Sequence, residues 1–144
     1  MSEPQQLSAV YRDYLACLNS RRWDDLGRFV ADDVRYNGEP VGLAGYRAML
    51  EADVDNIPDL QFVPEILLAD GDAVSCRLVF CCTPRRRIFG AEPTGAQVSF
   101  AEHVFYRMVD AKIVDVRSLI DTQAVRDQLS APPATAAEPP PPTG

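Results

Sequence analysis

Asp121 is the residue whose surroundings in the sequence most favour acid–base chemistry. It follows the apolar residues Val116, Leu119 and Ile120 and precedes the polar segment TQAVRDQL, which is predicted to be a short helix. An apolar wall disfavours the charged form of a carboxyl group, so such an acid can take a proton from a carbon next to a carbonyl near neutral pH. Asp is also a favoured N-cap residue. The sequence therefore leaves two roles open, general base and helix cap, and one side chain can combine them.

The partners of Asp121 depend on the register of the last predicted hairpin, because a shift of one residue moves every side chain to the other face. A two-residue turn at Asp110-Ala111 places four residues on the face of Asp121: Phe100, Glu102, Val104 and Tyr106. One extra residue instead places Ala101, His103 and Phe105 there. The second register pairs Arg107 with Asp115, and it is favoured because the charges are opposite. His103 is then the expected partner, able to orient a substrate or donate to an enolate oxygen.

The other candidate site residues are aromatic side chains and one arginine, on elements expected to surround the same pocket. Together they could supply a hydroxyl donor and an aromatic wall, although core packing is the commoner role of such side chains. The candidate substrate-binding residues are Tyr11, Tyr14, Tyr36, Tyr46, Phe105, Tyr106 and Arg117. Arg117 shares strand parity with Asp115 and Asp121, so the three could also form one charged set. A salt-bridged strand edge is the simpler interpretation of that set.

Hydrophobic periodicity predicts the elements that must position these residues. Helical spacing of apolar residues predicts three helices, over residues 7–18, 23–30 and 43–57, with a short strand holding Val34 and Tyr36 before the third. Four β-rich runs follow, at residues 60–69, 72–83, 96–109 and 112–120, and a short helix at 122–129 closes the domain. Helices that precede a meander of antiparallel strands indicate an α+β fold, with the helices on one face of a curved sheet.

Length, composition and charge restrict the classes of function. A chain of 144 residues suits one domain, predicted at 1–129, and the Pro/Ala-rich tail at 130–144 is predicted to be disordered because it has no bulky apolar residue. A net charge of −7 argues against a nucleic-acid partner, and no apolar run is as long as a membrane span. The N-terminus lacks a signal-peptide pattern, which predicts a cytoplasmic protein. Four cysteines without CxxC spacing and a single histidine predict reduced, buried thiols and no metal site.

Four short segments, taken in order, carry a resemblance to a known family. They are IPDLQF at 57–62, DGDAVSCR at 70–77, FGAEPTG at 89–95, and Asp121 followed by Gln128-Leu129. Over about residues 7–130 the chain resembles the SnoaL-like polyketide cyclases, or ester cyclases, of the nuclear transport factor two superfamily. The resemblance implies a cone-shaped α+β barrel, with a curved antiparallel sheet wrapped by three N-terminal helices around a deep apolar pocket, commonly as a homodimer.

The resemblance also implies a reaction. An acid at the position of Asp121 would take a proton from an activated carbon of a polyketide-type ester, and intramolecular aldol closure would follow without a metal or organic cofactor. The chain departs from the family pattern at three places: Pro84-Arg85 replace part of a Gly-Thr-His group, Arg117 replaces a common Trp, and Ala111 replaces the glycine of an Asp-Gly turn.

Three functions follow as hypotheses, in decreasing order of preference. The first is a cofactor-independent cyclase that acts on an apolar small molecule with Asp121 as general base. The second is a non-catalytic module that binds an apolar ligand or only dimerises through its sheet. The third is an epoxide hydrolase in which Asp115, Arg117 and Asp121 activate water and protonate the epoxide oxygen, which requires all three side chains in one cavity. A shared fold does not decide among them.

Overall fold

The structure is a computed structural model that describes residues 2–130. Of the predicted tail at 130–144, Ser130 ends the last helix, and the remainder lies outside the described residues. The elements are, in order, α1 (Glu3–Asn19), a 3-10 helix (Trp23–Arg28), β1 (Val30–Tyr36), α2 (Gly42–Asn56), β2 (Val63–Asp70), β3 (Ala73–Cys82), β4 (Val98–Val109), β5 (Lys112–Ile120) and α3 (Thr122–Ser130).

The helices begin and end where local chemistry favours it. The Ser2 side chain accepts a hydrogen bond from the Gln5 N–H, and the Gln5 side chain accepts one from the Ser2 N–H, so α1 begins with a capping box. The chain leaves α2 at Ile57, which has a non-helical φ of −134° and ψ of 81° because the following Pro58 disfavours the helical conformation at that position. The predicted second helix is a single 3-10 helix, since WDDLGR contains Gly27 and two helix-disfavouring aspartates. None of the described helices is long and apolar enough to span a membrane.

The five described strands form a curved, open sheet in the order β1-β5-β4-β3-β2. Neighbours are antiparallel except β1, which pairs in parallel with β5. The predicted α+β class and the predicted meander are therefore confirmed, while the sheet contains one parallel pair and does not close into a barrel. The parallel pair arises because α2 and the whole β2–β4 meander separate β1 from β5 along the chain, which leaves room for a crossover.

The hairpin between β4 and β5 adopts the predicted register. Arg107 lies opposite Asp115, and a two-residue turn is combined with a bulge in β5, so both features considered from the sequence are present. Asp110 and Ala111 have φ values of 51° and 62°. Two-residue hairpin turns with positive φ at both central residues match the twist of the flanking strands. The Asp121 N–H donates to the Ala101 carbonyl oxygen at 3.0 Å, so the ladder continues beyond the last residue of β5.

The two faces of the sheet have different surroundings. The inner face packs against α1 and α2, and its alternating side chains form the core: Val74, Cys76, Leu78 and Phe80 of β3, and Val104, Tyr106 and Met108 of β4. The outer face carries large apolar side chains that remain exposed, with Leu119 76% and Phe105 62% exposed. Each face of the sheet therefore offers a surface on which a site could form.

Three amide side chains complete the backbone pairing where strands end. Each donates to the carbonyl oxygen and accepts from the N–H of one residue, as a neighbouring strand would. The pairs are Asn19 with Phe62, Asn37 with Ser118, and Gln128 with Ser99. We call these pairs amide clamps.

Candidate functional site

A small cavity of about 60 Å³ lies between the inner sheet face and the helices α1 and α2. Its walls are mostly apolar and include Leu18, Phe62, Leu78, Val104 and Val116. The lining residues that carry polar groups are two acids and four tyrosines: Asp53, Glu102, Tyr14, Tyr36, Tyr46 and Tyr106. An apolar enclosure with a few convergent polar groups is the usual form of a small-molecule site.

Glu102 is the central titratable group of the cavity. It lies on β4 between Leu78 of β3 and Ile120 of β5, and its carboxylate accepts a hydrogen bond from the Ser118 hydroxyl. Burial raises the pKa of Glu102 from 4.5 to about 7, and the negative charge of Asp53 acts in the same direction, while the Ser118 hydroxyl opposes them. A carboxyl group with this pKa can both accept and return a proton near neutral pH.

Asp53 supplies a second carboxyl group at the edge of the cavity. It belongs to the last turn of α2 and follows Tyr46 and Leu50 on the same helix face. The residue as a whole is exposed, but loss of hydration around its carboxyl group raises the pKa to about 6. The cavity thus contains two acids that titrate above the usual range of carboxyl groups.

The hydroxyls of four buried tyrosines, Tyr11, Tyr14, Tyr46 and Tyr106, form two pairs. The Tyr14 and Tyr46 oxygens lie 2.6 Å apart, and the Tyr11 hydroxyl donates to that of Tyr106 at 3.1 Å. Burial raises the pKa of all four phenols above its ordinary value, so the hydroxyls stay protonated. One hydroxyl hydrogen makes the bond between Tyr14 and Tyr46, and the other can be donated to an oxygen in the cavity. This arrangement can stabilise negative charge on a carbonyl oxygen.

Asp121 and His103 lie on the opposite, outer face, where both line an open groove of about 960 Å³. Asp121 is exposed, and its Oδ1 accepts a hydrogen bond from the Ala124 N–H at 3.1 Å, so it is the N-cap of α3. His103 Nε2 lies 2.7 Å from Nη1 of Arg77, whose Nε donates to Glu65 at 2.6 Å. Since a guanidinium group can only donate, His103 accepts at Nε2.

The predicted site residues are thus divided between the two faces of the sheet. Asp121, His103, Phe105 and Arg117 are on the outer face, and the Arg117 Nε lies 3.2 Å from Asp115 Oδ2. Neither Arg117 nor Asp115 is among the described residues that line the groove of Asp121. The predicted tyrosines are inside: Tyr14, Tyr36, Tyr46 and Tyr106 line the cavity, and Tyr11 is bonded to Tyr106.

Sequence reasoning did not select Glu102, Asp53 or Ser118 as site residues. A usable signal was present for two of them. Glu102 is in phase with Val104 and Tyr106 along β4, and an acid among inward-facing apolar positions is unusual. Asp53 is seven residues after Tyr46, on the apolar face of α2. Ser118 carries no comparable signal, because serine is common on both faces of a strand end.

Comparison with solved structures places the chain among proteins of one fold. A SnoaL-like polyketide cyclase from Agrobacterium tumefaciens C58 is 45% identical, with a TM-score of 0.83, over 86% of this chain and 98% of that one. IdmH of Streptomyces antibioticus, a proposed polyketide cyclase, is 21% identical, with a TM-score of 0.78, over 88% and 99%. AclR of Streptomyces galilaeus, a proposed hydroxylase, is 22% identical, with a TM-score of 0.76, over 88% and 97%.

The two more distant structures support the fold alone. No curated protein matches the chain in a sequence search. The family model described as SnoaL-like polyketide cyclase matches residues 8–129, which is most of the chain and includes every element that lines the cavity. The chain therefore belongs to the SnoaL-like polyketide cyclase family.

Proposed function

We propose that the protein is a cofactor-independent acid–base enzyme of the cyclase type, with Glu102 as its general base. The observation that carries this proposal is the setting of the Glu102 carboxyl group. It faces an apolar cavity, accepts a hydrogen bond from Ser118, and has its pKa raised to about 7. A base poised near the working pH is what proton abstraction next to a carbonyl requires.

The proposed reaction is an intramolecular aldol closure. Glu102 removes a proton from the carbon between two carbonyl groups, and the enolate oxygen accepts a hydrogen bond from the Tyr14–Tyr46 pair. The enolate carbon attacks a third, more distant carbonyl group of the same molecule, which forms a carbon–carbon bond and an alkoxide. The alkoxide takes back the proton from Glu102. Because the proton returns and no electrons leave the substrate, the reaction needs no oxidant or reductant. With the hydroxyl pair at the enolate oxygen, the proposed mechanism uses neither a metal nor an organic cofactor.

The cavity restricts what can enter it. Pockets that enclose a whole drug-sized ligand measure about 300–1,000 Å³, whereas this cavity measures about 60 Å³. We infer that the substrate is an apolar ester or ketone of which only the acidic carbon and its carbonyl groups reach Glu102. The rest of the molecule would lie outside, past Asp53 at the cavity edge.

The test compares Glu102→Gln with Asp121→Asn. Each variant is incubated with a β-keto ester in D₂O, and exchange of the acidic carbon-bound protons is followed by NMR, alongside a cyclisation assay with a polyketide-type ester. Loss of a general base should slow exchange about 10²- to 10⁴-fold in Glu102→Gln. Asp121→Asn is the matched control, because Asn is an equally good N-cap. Full exchange activity in Glu102→Gln would contradict the proposal.

A second candidate function places the chemistry in the outer groove, with Asp121 as base and His103 as its partner. It is favoured by one observation: both side chains line a groove of about 960 Å³, large enough for a polycyclic substrate. The experiment above distinguishes it, since Asp121→Asn would then lose activity while Glu102→Gln keeps it. Exchange no faster with the wild-type protein than without protein would favour a non-catalytic binding module, and activity that survives both substitutions would contradict both assignments of the base. The epoxide hydrolase hypothesis has no supporting observation, because Asp115 and Arg117 are apart from that groove.

We also propose that the protein is a cytoplasmic homodimer joined through the outer sheet face. The exposed apolar side chains Ile66, Leu68, Phe105 and Leu119 lie on that sheet, and exposed apolar patches of this kind usually mark an interface. Leu119→Asp should shift a dimer to the monomer in light scattering coupled to size-exclusion chromatography. A wild-type protein that is monomeric at micromolar concentration would contradict this proposal.

A further inference from the structure

Asn37 is an exposed residue directly after β1. Its φ of 49° turns the backbone out of the sheet, while its backbone N–H still pairs with β5, donating to the Val116 carbonyl oxygen at 2.8 Å. Its side chain then forms one of the amide clamps. Asn37 Nδ2 donates to the Ser118 carbonyl oxygen at 3.2 Å, and the Ser118 N–H donates to Asn37 Oδ1 at 2.7 Å. The clamp therefore holds both backbone groups of Ser118.

Ser118 connects the clamp to the cavity. Its backbone pairs with Asn37 at the edge of β5, while its hydroxyl faces inward and donates to the Glu102 carboxylate. The direction of that hydroxyl depends on the backbone of Ser118, because the serine side chain has a single rotatable bond to its oxygen. A displacement of the Ser118 backbone by a few tenths of an ångström would therefore weaken the hydrogen bond to Glu102.

We propose that Asn37 is a positioning residue for Glu102: by clamping Ser118 it fixes the hydroxyl that donates to the carboxylate. The proposal rests on the proposed function only for its effect on turnover, since the coupling between Asn37 and Glu102 is a property of the folded protein. A hydroxyl donor stabilises the ionised form of a carboxyl group. Loss of the clamp should thus favour the protonated form and make the base less available at a given pH.

The test uses Asn37→Gly, because glycine tolerates the left-handed backbone of this position and removes both clamp bonds. The readout is the titration of the Glu102 side-chain carboxyl carbon, followed by NMR in protein labelled with ¹³C-glutamate. The midpoint should move upward by about 0.5–1 pH unit, as expected for a weakened charge-assisted hydrogen bond. The pH profile of proton exchange should move upward by the same amount. At pH values below its midpoint, Asn37→Gly should be about 3- to 10-fold less active than wild type.

Two further variants separate positioning from a general effect on folding. In a Ser118→Ala background the hydroxyl is absent, so Asn37→Gly should add no further shift to the Glu102 midpoint. Gln128→Ala removes the comparable clamp on Ser99, which does not reach the cavity, and should leave the midpoint unchanged. An unchanged midpoint in Asn37→Gly, or an equal shift with and without the Ser118 hydroxyl, would overturn the proposal. Turnover of Glu102→Gln tests the proposed function separately.

Discussion

Replacement of Glu102 by glutamine is predicted to stabilise the fold at alkaline pH but not in acid. Burial raises the pKa of this carboxyl group from 4.5 to about 7. The folded protein therefore holds the proton more tightly than the unfolded chain does. The contribution of Glu102 to the stability of the fold is fully present below pH 4.5. It is lost as the pH rises through 7, because the folded protein must then hold a charged carboxylate in the cavity. Glutamine keeps an oxygen that can accept from Ser118 and never ionises.

The expected size follows from the same pKa. A change from 4.5 to about 7 corresponds to at most about 3 kcal/mol of unfolding free energy. Glu102 is partly accessible to water, so about 2 kcal/mol is the realistic expectation. Urea denaturation of both proteins at several pH values measures the difference. The stability of Glu102→Gln relative to wild type should increase by about 2 kcal/mol between pH 4.5 and pH 8.

The comparison needs a control for charge. The chain carries a net charge of −7, and removal of any acid makes the chain less negative. Glu39→Gln serves this purpose, because Glu39 is exposed in the turn after β1 and does not line the cavity. A stability difference between Glu102→Gln and wild type that is the same at every pH, or that decreases as pH rises, would refute the view that Glu102 is desolvated in the folded protein.

Three other sets of substitutions test separate parts of the structure. Tyr14→Phe and Tyr46→Phe should each cost about 1–3 kcal/mol, and the double variant less than their sum, because each single change leaves one buried hydroxyl without its partner; thermal denaturation of the full cycle measures this coupling. Asp121→Ala should cost about 1 kcal/mol and Asp121→Asn almost nothing, as loss and retention of an N-cap predict. Gly42→Ala should cost about 1–2 kcal/mol in urea denaturation, since Gly42 has φ +70° and an added Cβ would lie 3.3 Å from the Asp32 carbonyl oxygen.

Sequence periodicity predicted the elements well where side chains repeat on one face. Tyr11, Tyr14, Leu15 and Leu18 recur at helical spacing, and all four are buried in α1. The register of the last hairpin was also predictable, because only one alternative places Arg107 opposite Asp115. The 3-10 helix was predicted as a regular helix, since its apolar spacing is helical but Gly27 and its neighbours lack helix propensity.

The candidate site was harder to predict because β4 and β5 carry apolar residues on both faces. Phe105 alternates with Val104 and Tyr106 along β4, and Leu119 precedes Ile120 in β5, so the pattern does not tell which face is covered by helices. Strand parity grouped Asp121 correctly with His103. It could not show that this group faces outward, because that depends on where α1 and α2 pack, which is a tertiary property.

One residue of register separates the two carboxyl groups that compete for the role of base. Glu102 pairs with Ile120, and the next pair along the ladder joins Asp121 to Ala101, so the two acids point to opposite faces. The ladder continues through Asp121, and its side chain therefore cannot cap α3 and face the inner cavity together. Chemistry at Asp121 would have to occur in the outer groove. A dimer joined through the outer face would cover that groove and leave the inner cavity untouched, so the oligomeric state and the identity of the base are linked.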